Sequence, residues 1–181
     1  MISRRRVLQA GGAFVLGATA FAGYGFAIEP YRLTVPHYTV RPHDWPKGLK
    51  LRIAVVADLH ICEPWMPLSR VRAIVEATNR LDADLIVMLG DFVGDGRILK
   101  WSGRPVAKSA WAPILAQLDA PLGRFAILGN HDWWEQQSVQ ARRRGPTEAG
   151  EALKAAGVPV FENDAVRLEK DGHAFWLCGL G

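Results

Sequence analysis

The strongest constraint on the fold is a repeated alternation of β-branched apolar runs with helix-type segments. Strand-type runs occupy residues 51–57, 85–89 and 124–128. Between them, residues 67–81 carry apolar side chains at the 3.6-residue period of an amphipathic helix, and residues 107–118 form a second helix-type segment. Apolar runs of this kind are typical of strands buried on both faces. The sequence therefore predicts an α/β fold with a mostly parallel sheet.

The C-terminal part of the chain extends this pattern and then changes it. A helix is expected over residues 147–156 and a short strand over 158–161. The runs 165–169 and 173–178 flank Asp171-Gly172, a dipeptide typical of a two-residue hairpin turn. Antiparallel strands are therefore expected to join the parallel sheet.

The N-terminus has the pattern of a targeting segment. Arg4, Arg5 and Arg6 precede an uncharged stretch over residues 7–28. Adjacent arginines ahead of an apolar segment resemble the twin-arginine signal, which exports folded proteins across the bacterial inner membrane. About 22 residues would also span a bilayer, so residues 1–28 are predicted to be a cleaved signal or a retained anchor. Either outcome implies a periplasmic location, with the inner membrane or the twin-arginine translocase as partner; a buried N-terminal helix is the alternative.

Residues 29–49 are predicted to be a connector into a domain over residues 50–181, because proline resists helix and central strand. An edge strand is expected near residues 38–40. The prolines of the connector are Pro30, Pro36, Pro42 and Pro46.

The charge of the chain does not indicate a nucleic-acid partner. The sequence has 22 Lys and Arg against 18 Asp and Glu, and removing the three N-terminal arginines leaves 19 basic residues. A groove for a polyanion usually needs a basic stripe. The other local run, residues 142–144, is interpreted as a solvated loop. Nucleic-acid binding is therefore not expected.

Each of the three predicted strands ends in side chains that can bind a metal. Asp58 and His60 follow the first strand, Asp91 follows the second, and Asn130 and His131 follow the third. Taken singly, each has an ordinary explanation, such as a helix N-cap for either aspartate or a hydrogen-bonded loop histidine. Functional groups collect at the carboxyl ends of strands in open α/β sheets. Three such strand ends together predict one site.

The donor types indicate which metal ions this site would bind. Oxygen donors mixed with imidazole suit Mn, Fe, Zn or Ni better than calcium. Asp58 and His60 can both reach one ion where the backbone leaves its extended conformation. Asp91, on the adjacent strand, could bridge two ions, and Asn130 offers a neutral oxygen that adds no charge beside an anionic substrate.

The three strand ends carry the motifs Asp-x-His at residues 58–60, Gly-Asp-x-Val at 90–93 and Gly-Asn-His-Asp at 129–132. Their order is that of the calcineurin-like metallophosphoesterases, which the chain resembles over residues 50–181. The resemblance implies a β-sandwich flanked by helices, in four α/β/β/α layers. It also implies a dinuclear metal centre that hydrolyses phosphoesters.

The resemblance assigns a role to each candidate residue. Asp58 and His60 would hold the first metal, Asp91 would bridge, and Asn130 would hold the second. His131 would not be a ligand but would stabilise the phosphoryl transition state or protonate the leaving group. A metal-bound hydroxide would attack phosphorus in line.

The chain also departs from the family pattern. The family supplies further ligands from a later histidine and a Gly-His-x-His motif, whereas the only histidine after the third motif is His173, which follows the hairpin turn and is not assigned as a ligand. The domain is therefore expected to be incomplete at its C-terminus, with weak metal binding and little activity in a chain ending at Gly181. Asp132 is expected to support the site, and Trp133 and Trp134 are expected either to line a pocket or to pack in the core.

The expected function is a phosphodiesterase. A UDP-diacylglucosamine-like or other lipid-linked phosphoester of lipid A metabolism is one expected substrate. A phosphatase or cyclic-nucleotide phosphodiesterase is a second enzymatic interpretation. A catalytically silent, membrane-tethered binding domain is the alternative from a different class.

Overall fold

The computed structural model of the protein describes residues 3–94 and 96–180. The chain divides into two compact units, with the boundary between Arg41 and Pro42. The helices are α1 (Arg4–Ala27), α2 (Leu68–Asn79), α3 (Gly96–Ser102), α4 (Lys108–Leu115), α5 (Asn130–Trp134), α6 (Gln137–Arg142) and α7 (Glu148–Ala155). The strands are β1 (Ile53–Val56), β2 (Cys62–Glu63), β3 (Leu85–Met88), β4 (Arg104–Pro105), β5 (Arg124–Ala126), β6 (Asp164–Lys170) and β7 (His173–Gly179).

The first unit is built on helix α1. Ser3 caps it by accepting a hydrogen bond from the backbone N–H of Arg6, and a 3₁₀ turn, Glu29–Tyr31, follows it. With 24 residues, α1 is long and apolar enough to cross a membrane, although a signal sequence near the N-terminus also meets this criterion. The expectation of an edge strand near residues 38–40 is wrong, because this segment pairs with no strand of the described chain.

The second unit contains a parallel sheet in the order β1–β3–β5, which confirms the predicted α/β class. Ala54 and Val56 of β1 are buried on the side of the helices, whereas Ile53 and Val55 remain 45% and 57% exposed on the opposite face. The expectation that this strand is buried on both faces is therefore wrong for the described chain. The neighbouring strand β3 is almost fully buried.

Three predicted helices cover one face of the sheet, with α4 packed against both α2 and α7. Their apolar faces and strand β3 form a core from which water is excluded, and burial of this kind stabilises the domain by about 25 cal/mol per Å² of apolar surface. The least exposed large side chains of this core include Val71, Ile86, Met88, Trp111, Leu115 and Leu153.

The predicted hairpin is confirmed. Strands β6 and β7 pair in register, and Asp171 and Gly172 adopt φ angles of 51° and 76°, as a type I′ turn requires. Lys170 fixes the hairpin to the parallel sheet through an ion pair of 2.6 Å with Asp84. The short strand expected over residues 158–161 is reduced to a single parallel bridge between Val160 and β5.

Five short elements were not predicted: the antiparallel strands β2 and β4 and the helices α3, α5 and α6. The run at residues 142–144 is exposed, as expected, but it is not entirely a loop. Arg142 ends helix α6, and Arg143 terminates the helix in the left-handed conformation. Elements of two to seven residues are too short to show a clear period in sequence.

Candidate metal centre

The predicted site residues lie in three loops at the carboxyl edge of the parallel sheet. Two of these loops stay paired beyond the ends of their strands, because the backbone N–H of His60 donates to the carbonyl of Asp91 at 2.9 Å and that of Ile61 donates to Phe92 at 2.8 Å. Phe92 is buried and stacks on Trp111 of α4 with ring centroids 5.7 Å apart. The loop that carries Asp91 is therefore anchored on both sides.

The backbone of these loops is left-handed at three of the predicted site residues. The φ angles are 54° at Asp58, 43° at His60 and 54° at Asp91. L-residues seldom adopt this region, and aspartate and histidine tolerate it better than most. Such strain persists only where the surrounding structure imposes it, and it is concentrated at functional sites. This departure from extended backbone turns the chain at the ends of the first two strands.

Two glycines permit the loops to meet. Gly90 has a φ of 89°, and a Cβ built there would overlap the backbone nitrogen of Gly129. A Cβ on Gly129 would in turn overlap the carboxylate of Asp91. The second and third loops can therefore approach this closely only with glycine at both positions.

His60, Asp91 and His131 form a cluster that could hold a metal ion. One potential ligand atom from each lies within 4.8 Å of the others. His60 Nε2 is 3.9 Å from Asp91 Oδ2, and the two imidazole rings meet edge to face at 4.9 Å. The structure thus brings together residues that are separated by up to 71 positions in sequence.

The second nitrogen of each imidazole is occupied by an acceptor. His60 Nδ1 donates to the carbonyl oxygen of Val93 at 3.2 Å, so Nε2 is the nitrogen that faces Asp91. His131 Nδ1 lies 3.3 Å from Glu135 Oε1, one helical turn further along. A partner at Nδ1 fixes the ring orientation of a histidine, whether the histidine binds a metal or transfers a proton.

Asn130 also has contacts that fit a cation. One end of its amide lies 3.3 Å from Asp91 Oδ2, and the other lies 3.2 Å from the backbone nitrogen of His131. Hydrogen bonding alone favours the amide nitrogen of Asn130 toward Asp91 Oδ2. A cation bound between the two residues favours the amide oxygen there, because this oxygen and Asp91 Oδ2 would then both be ligands. The donors present, two carboxylate oxygens, an amide oxygen and imidazole nitrogens, therefore suit a divalent transition metal.

Asp58 is placed differently from the other candidates. It is exposed, and within the described residues it is not part of the cluster of His60, Asp91 and His131. Neither Asp58 nor Asp91 caps a helix, so the alternative interpretation of these aspartates as N-caps is wrong for both. The backbone of Asp58 lies at the same sheet edge, since its N–H donates to the carbonyl of Gly90 at 3.2 Å.

Asp132 holds two of the loops together. It is only 3% exposed, and its carboxylate accepts four backbone N–H bonds of 2.9 to 3.1 Å. Three come from residues 91–93 and one comes from Gly129 at the start of α5. Burial raises the pKa of this carboxyl above its ordinary value, against the N–H bonds, which act to lower it. The sequence suggested a supporting role, but only the structure reveals that the support is a backbone clamp.

Burial shows where Cys62, Trp133 and Trp134 lie relative to the site. Cys62 lies two residues after His60, but it is a buried thiol outside the histidine–aspartate cluster, and burial raises the pKa of this thiol. Trp134 is exposed next to His131, with ring centroids 6.2 Å apart, so it is at the rim of the site and not in the core. Trp133 is half-buried and lines a separate cleft. A polar cavity of about 330 Å³ that includes Lys108 and Glu148 opens beside His131.

Sequence reasoning missed Glu135, the partner of His131. Its spacing of four residues from His131 was a usable signal, because such residues share a helix face. That signal was hidden because helix α5 was not predicted.

Comparison with known proteins identifies the family of this chain. The profile of the calcineurin-like phosphoesterases matches residues 51–179. The chain is 31% identical to an uncharacterized metallophosphoesterase of Aquifex aeolicus over 141 residues, which is 78% of this chain and 47% of that protein. It is 31% identical to the phosphodiesterase YaeI of Escherichia coli over 182 residues, which is 100% of this chain and 61% of that protein.

A third relative, the UDP-2,3-diacylglucosamine pyrophosphatase LpxG of Chlamydia muridarum, is 32% identical over 83 residues, or 46% of this chain and 23% of that protein. The chain spans about half the length of the first two relatives, and a smaller part of the third. No solved structure gave a significant match. With the family profile covering most of its length and three metal-competent strand ends at one sheet edge, the chain belongs to the calcineurin-like phosphoesterase family.

Proposed function

We propose that this protein is a metal-dependent phosphoester hydrolase that acts on phosphodiesters. The observation that carries the proposal is the cluster of His60, Asp91 and His131 at the carboxyl edge of the sheet. In a protein of this family, such a cluster is the natural position for the reaction.

Asp58, His60, Asp91 and Asn130 would hold two divalent ions, with Asp91 as the shared ligand. Divalent ions at this position lower the pKa of water and offset the charge that develops on a phosphoryl group. The neutral amide of Asn130 keeps the site from becoming too negative for an anionic substrate. The carboxylate of Asp58 would supply a further oxygen from the outer side of the same edge.

His131 would act on the phosphoester as a proton donor. Glu135 accepts at Nδ1, so Nε2 is the nitrogen that remains to face the substrate. A protonated imidazole held there stabilises negative charge on the phosphoryl oxygens and can pass its proton to the leaving oxygen. Asp132 keeps the backbone of both loops in place while this occurs.

The substrate is proposed to be a diester, because the relative YaeI is a phosphodiesterase and LpxG is a pyrophosphatase of UDP-2,3-diacylglucosamine. A lipid-linked phosphoester would agree with the apolar helix α1 and with Trp134 at the rim of the site.

We further propose that residues 1–28 direct the protein to the inner membrane through the twin-arginine pathway, with the catalytic unit in the periplasm. Protection of the catalytic unit from protease in intact cells, lost when the outer membrane is opened, would test that location.

The test compares Asp91→Asn and His131→Ala with the exposed control Asp119→Asn. Metal content is measured by mass spectrometry, and hydrolysis is measured with bis-p-nitrophenyl phosphate and p-nitrophenyl phosphate. Asp91→Asn should lose both metal and activity. His131→Ala should keep its metal and lose about 10²- to 10⁴-fold in rate, the usual size of an acid–base contribution.

Full metal content in Asp91→Asn would refute the proposed ligand set. A wild-type protein that binds metal but hydrolyses no phosphoester would instead support the silent binding domain. Faster cleavage of the monoester than of the diester would favour a phosphatase.

A further inference from the structure

A surface of aromatic and basic side chains lies beside the metal centre and is not explained by the proposed hydrolysis. It consists of Trp65, Lys100, Trp101 and Arg104, which we name the Trp101 surface. Trp101 is 91% exposed and Trp65 is 47% exposed, while Lys100 and Arg104 are also exposed. Two tryptophans so close together are seldom left in water without a function, because each carries a large apolar area.

The Trp101 surface is built on ordered elements. Strands β2 and β4 pair with Glu63 opposite Arg104, and the indole N–H of Trp65 donates to Ser102 Oγ at 3.3 Å. This bond ties the loop after β2 to the end of α3, next to Trp101. The two tryptophans therefore belong to a single small platform made from two separate parts of the chain.

The platform is connected directly to the metal centre. Strand β2 begins two residues after His60, and Ile61 forms a parallel bridge with Val93. At the other end, a Cβ on Gly96, the first residue of α3, would overlap the carboxylate of Glu135, the partner of His131. Whatever binds the Trp101 surface is thus held close to the reacting groups.

The Trp101 surface carries a net positive charge. Residues 96–108 contain four basic residues and no acidic ones. One of the basic residues, Lys108, is paired with Glu148 at 2.9 Å. Lys100 and Arg104 have no ion pair within the part of the chain that the structure describes, although the half-buried Glu63 is the strand neighbour of Arg104. A net positive charge therefore accompanies the exposed indoles.

We propose that the Trp101 surface docks the catalytic unit on the surface of an anionic lipid bilayer. Indole rings prefer the headgroup region, where the ring is buried and the N–H stays hydrated, and lysine and arginine attract anionic headgroups. Amphipathic binding of this kind needs both components together. A protein partner would have to supply acidic side chains around two indole pockets, whereas a bilayer supplies both chemistries without a specific shape.

The docked orientation would bring lipid headgroups to the edge of the metal centre. This inference concerns where the protein binds and does not depend on the identity of the substrate. It would hold equally for a retained anchor or a cleaved signal.

The test places an environment-sensitive fluorophore on the full-length protein. The variants Trp101→Cys and Trp176→Cys, both in a Cys178→Ser background, are labelled with NBD, since Cys62 is buried. Trp176 is the matched control, because it is 65% exposed on strand β7, which belongs to a different sheet from β2 and β4. Vesicles contain phosphatidylcholine and phosphatidylglycerol at 3:1, with brominated phosphatidylcholine as quencher.

We expect the probe at position 101 to shift to shorter wavelength and to be quenched, while the probe at 176 is unaffected. The charge-reversal pair K100E/R104E should weaken vesicle binding, measured by quenching at 101 as lipid is added, by at least tenfold. The reason is that each basic residue near an anionic surface contributes about a factor of five to the binding affinity. High salt should act in the same direction.

Equal quenching at both positions would show attachment through α1 alone and would overturn the proposal, as would no quenching at either. Quenching at 101 that persists in K100E/R104E would also overturn it. Hydrolysis of a soluble phosphodiester by the same variants should stay unchanged, which separates a failure of docking from a failure of the proposed function.

Discussion

Replacing Asp132 with asparagine tests whether the clamp between the metal-binding loops is needed for the fold and the site. The carboxylate oxygens each accept two backbone N–H bonds, from Asp91 and Gly129 at Oδ2 and from Phe92 and Val93 at Oδ1. An amide keeps one oxygen, but its NH₂ group then faces two donors. Two buried N–H groups lose their acceptor, at about 1–3 kcal/mol each.

The expected loss for Asp132→Asn is therefore about 2–6 kcal/mol of unfolding free energy. This is a large part of the 5–15 kcal/mol by which domains are usually stable. Urea denaturation followed by circular dichroism measures it, and the exposed Asp119→Asn should stay within about 0.5 kcal/mol of wild type. Because residues 91 and 129 belong to the two clamped loops, metal affinity should also fall about 10- to 100-fold, as measured by calorimetry.

The reasoning is refuted if Asp132→Asn unfolds within about 0.5 kcal/mol of wild type and binds metal normally. A loss of stability without a loss of metal affinity would mean that the clamp supports the fold alone. The alanine variant should be worse than the asparagine variant in both assays, since it leaves all four donors unpaired.

Three further predictions concern the rest of the second unit. Burial acts to raise the pKa of Asp84. The backbone N–H of Arg52 and the ammonium of Lys170 stabilise the anion more strongly, so this pKa lies below its ordinary value. Because the pKa of Asp84 is lower in the folded than in the unfolded protein, the ionised carboxylate stabilises the fold at pH values above the unfolded-state pKa of about 4. This stabilisation is lost as the pH falls through the folded-state pKa. Asp84→Asn should therefore cost about 1–3 kcal/mol of unfolding free energy at pH 7 and little at pH 2, as measured by urea titrations. Ellman's reagent should react with one thiol, Cys178, in the native protein and with two in denaturant; two fast thiols would contradict the burial of Cys62. Gly90→Ala should cost more than 2 kcal/mol by thermal unfolding, because its Cβ would overlap backbone and its φ is positive; a neutral result would mean that the two loops can separate.

Much of the framework could be predicted from local sequence patterns. The parallel strands, the three main helices and the Asp171-Gly172 hairpin each have a signal of their own, in period, composition or turn chemistry. The motifs also located Asp58, His60, Asp91, Asn130 and His131 at one sheet edge, since strand direction decides where the carboxyl ends lie.

The elements that the sequence did not reveal are those that depend on neighbours far along the chain. The exposure of Ile53 and Val55 depends on what covers the second face of the sheet, and the pairing of β2 with β4 joins segments about forty residues apart. Two-residue strands and five-residue helices carry too little pattern to be recognised alone.

Within the site, the sequence by itself determined which side chains are available, because residue type fixes the donor chemistry. Only the tertiary structure decided that His60, Asp91 and His131 converge, that Asp58 stands apart from them, and that Asp132 binds four N–H groups of two loops. The physical reason is that a left-handed backbone at Asp58, His60 and Asp91 is unfavourable in isolation. It exists here because hydrogen bonds and close glycine contacts between loops outweigh that local cost.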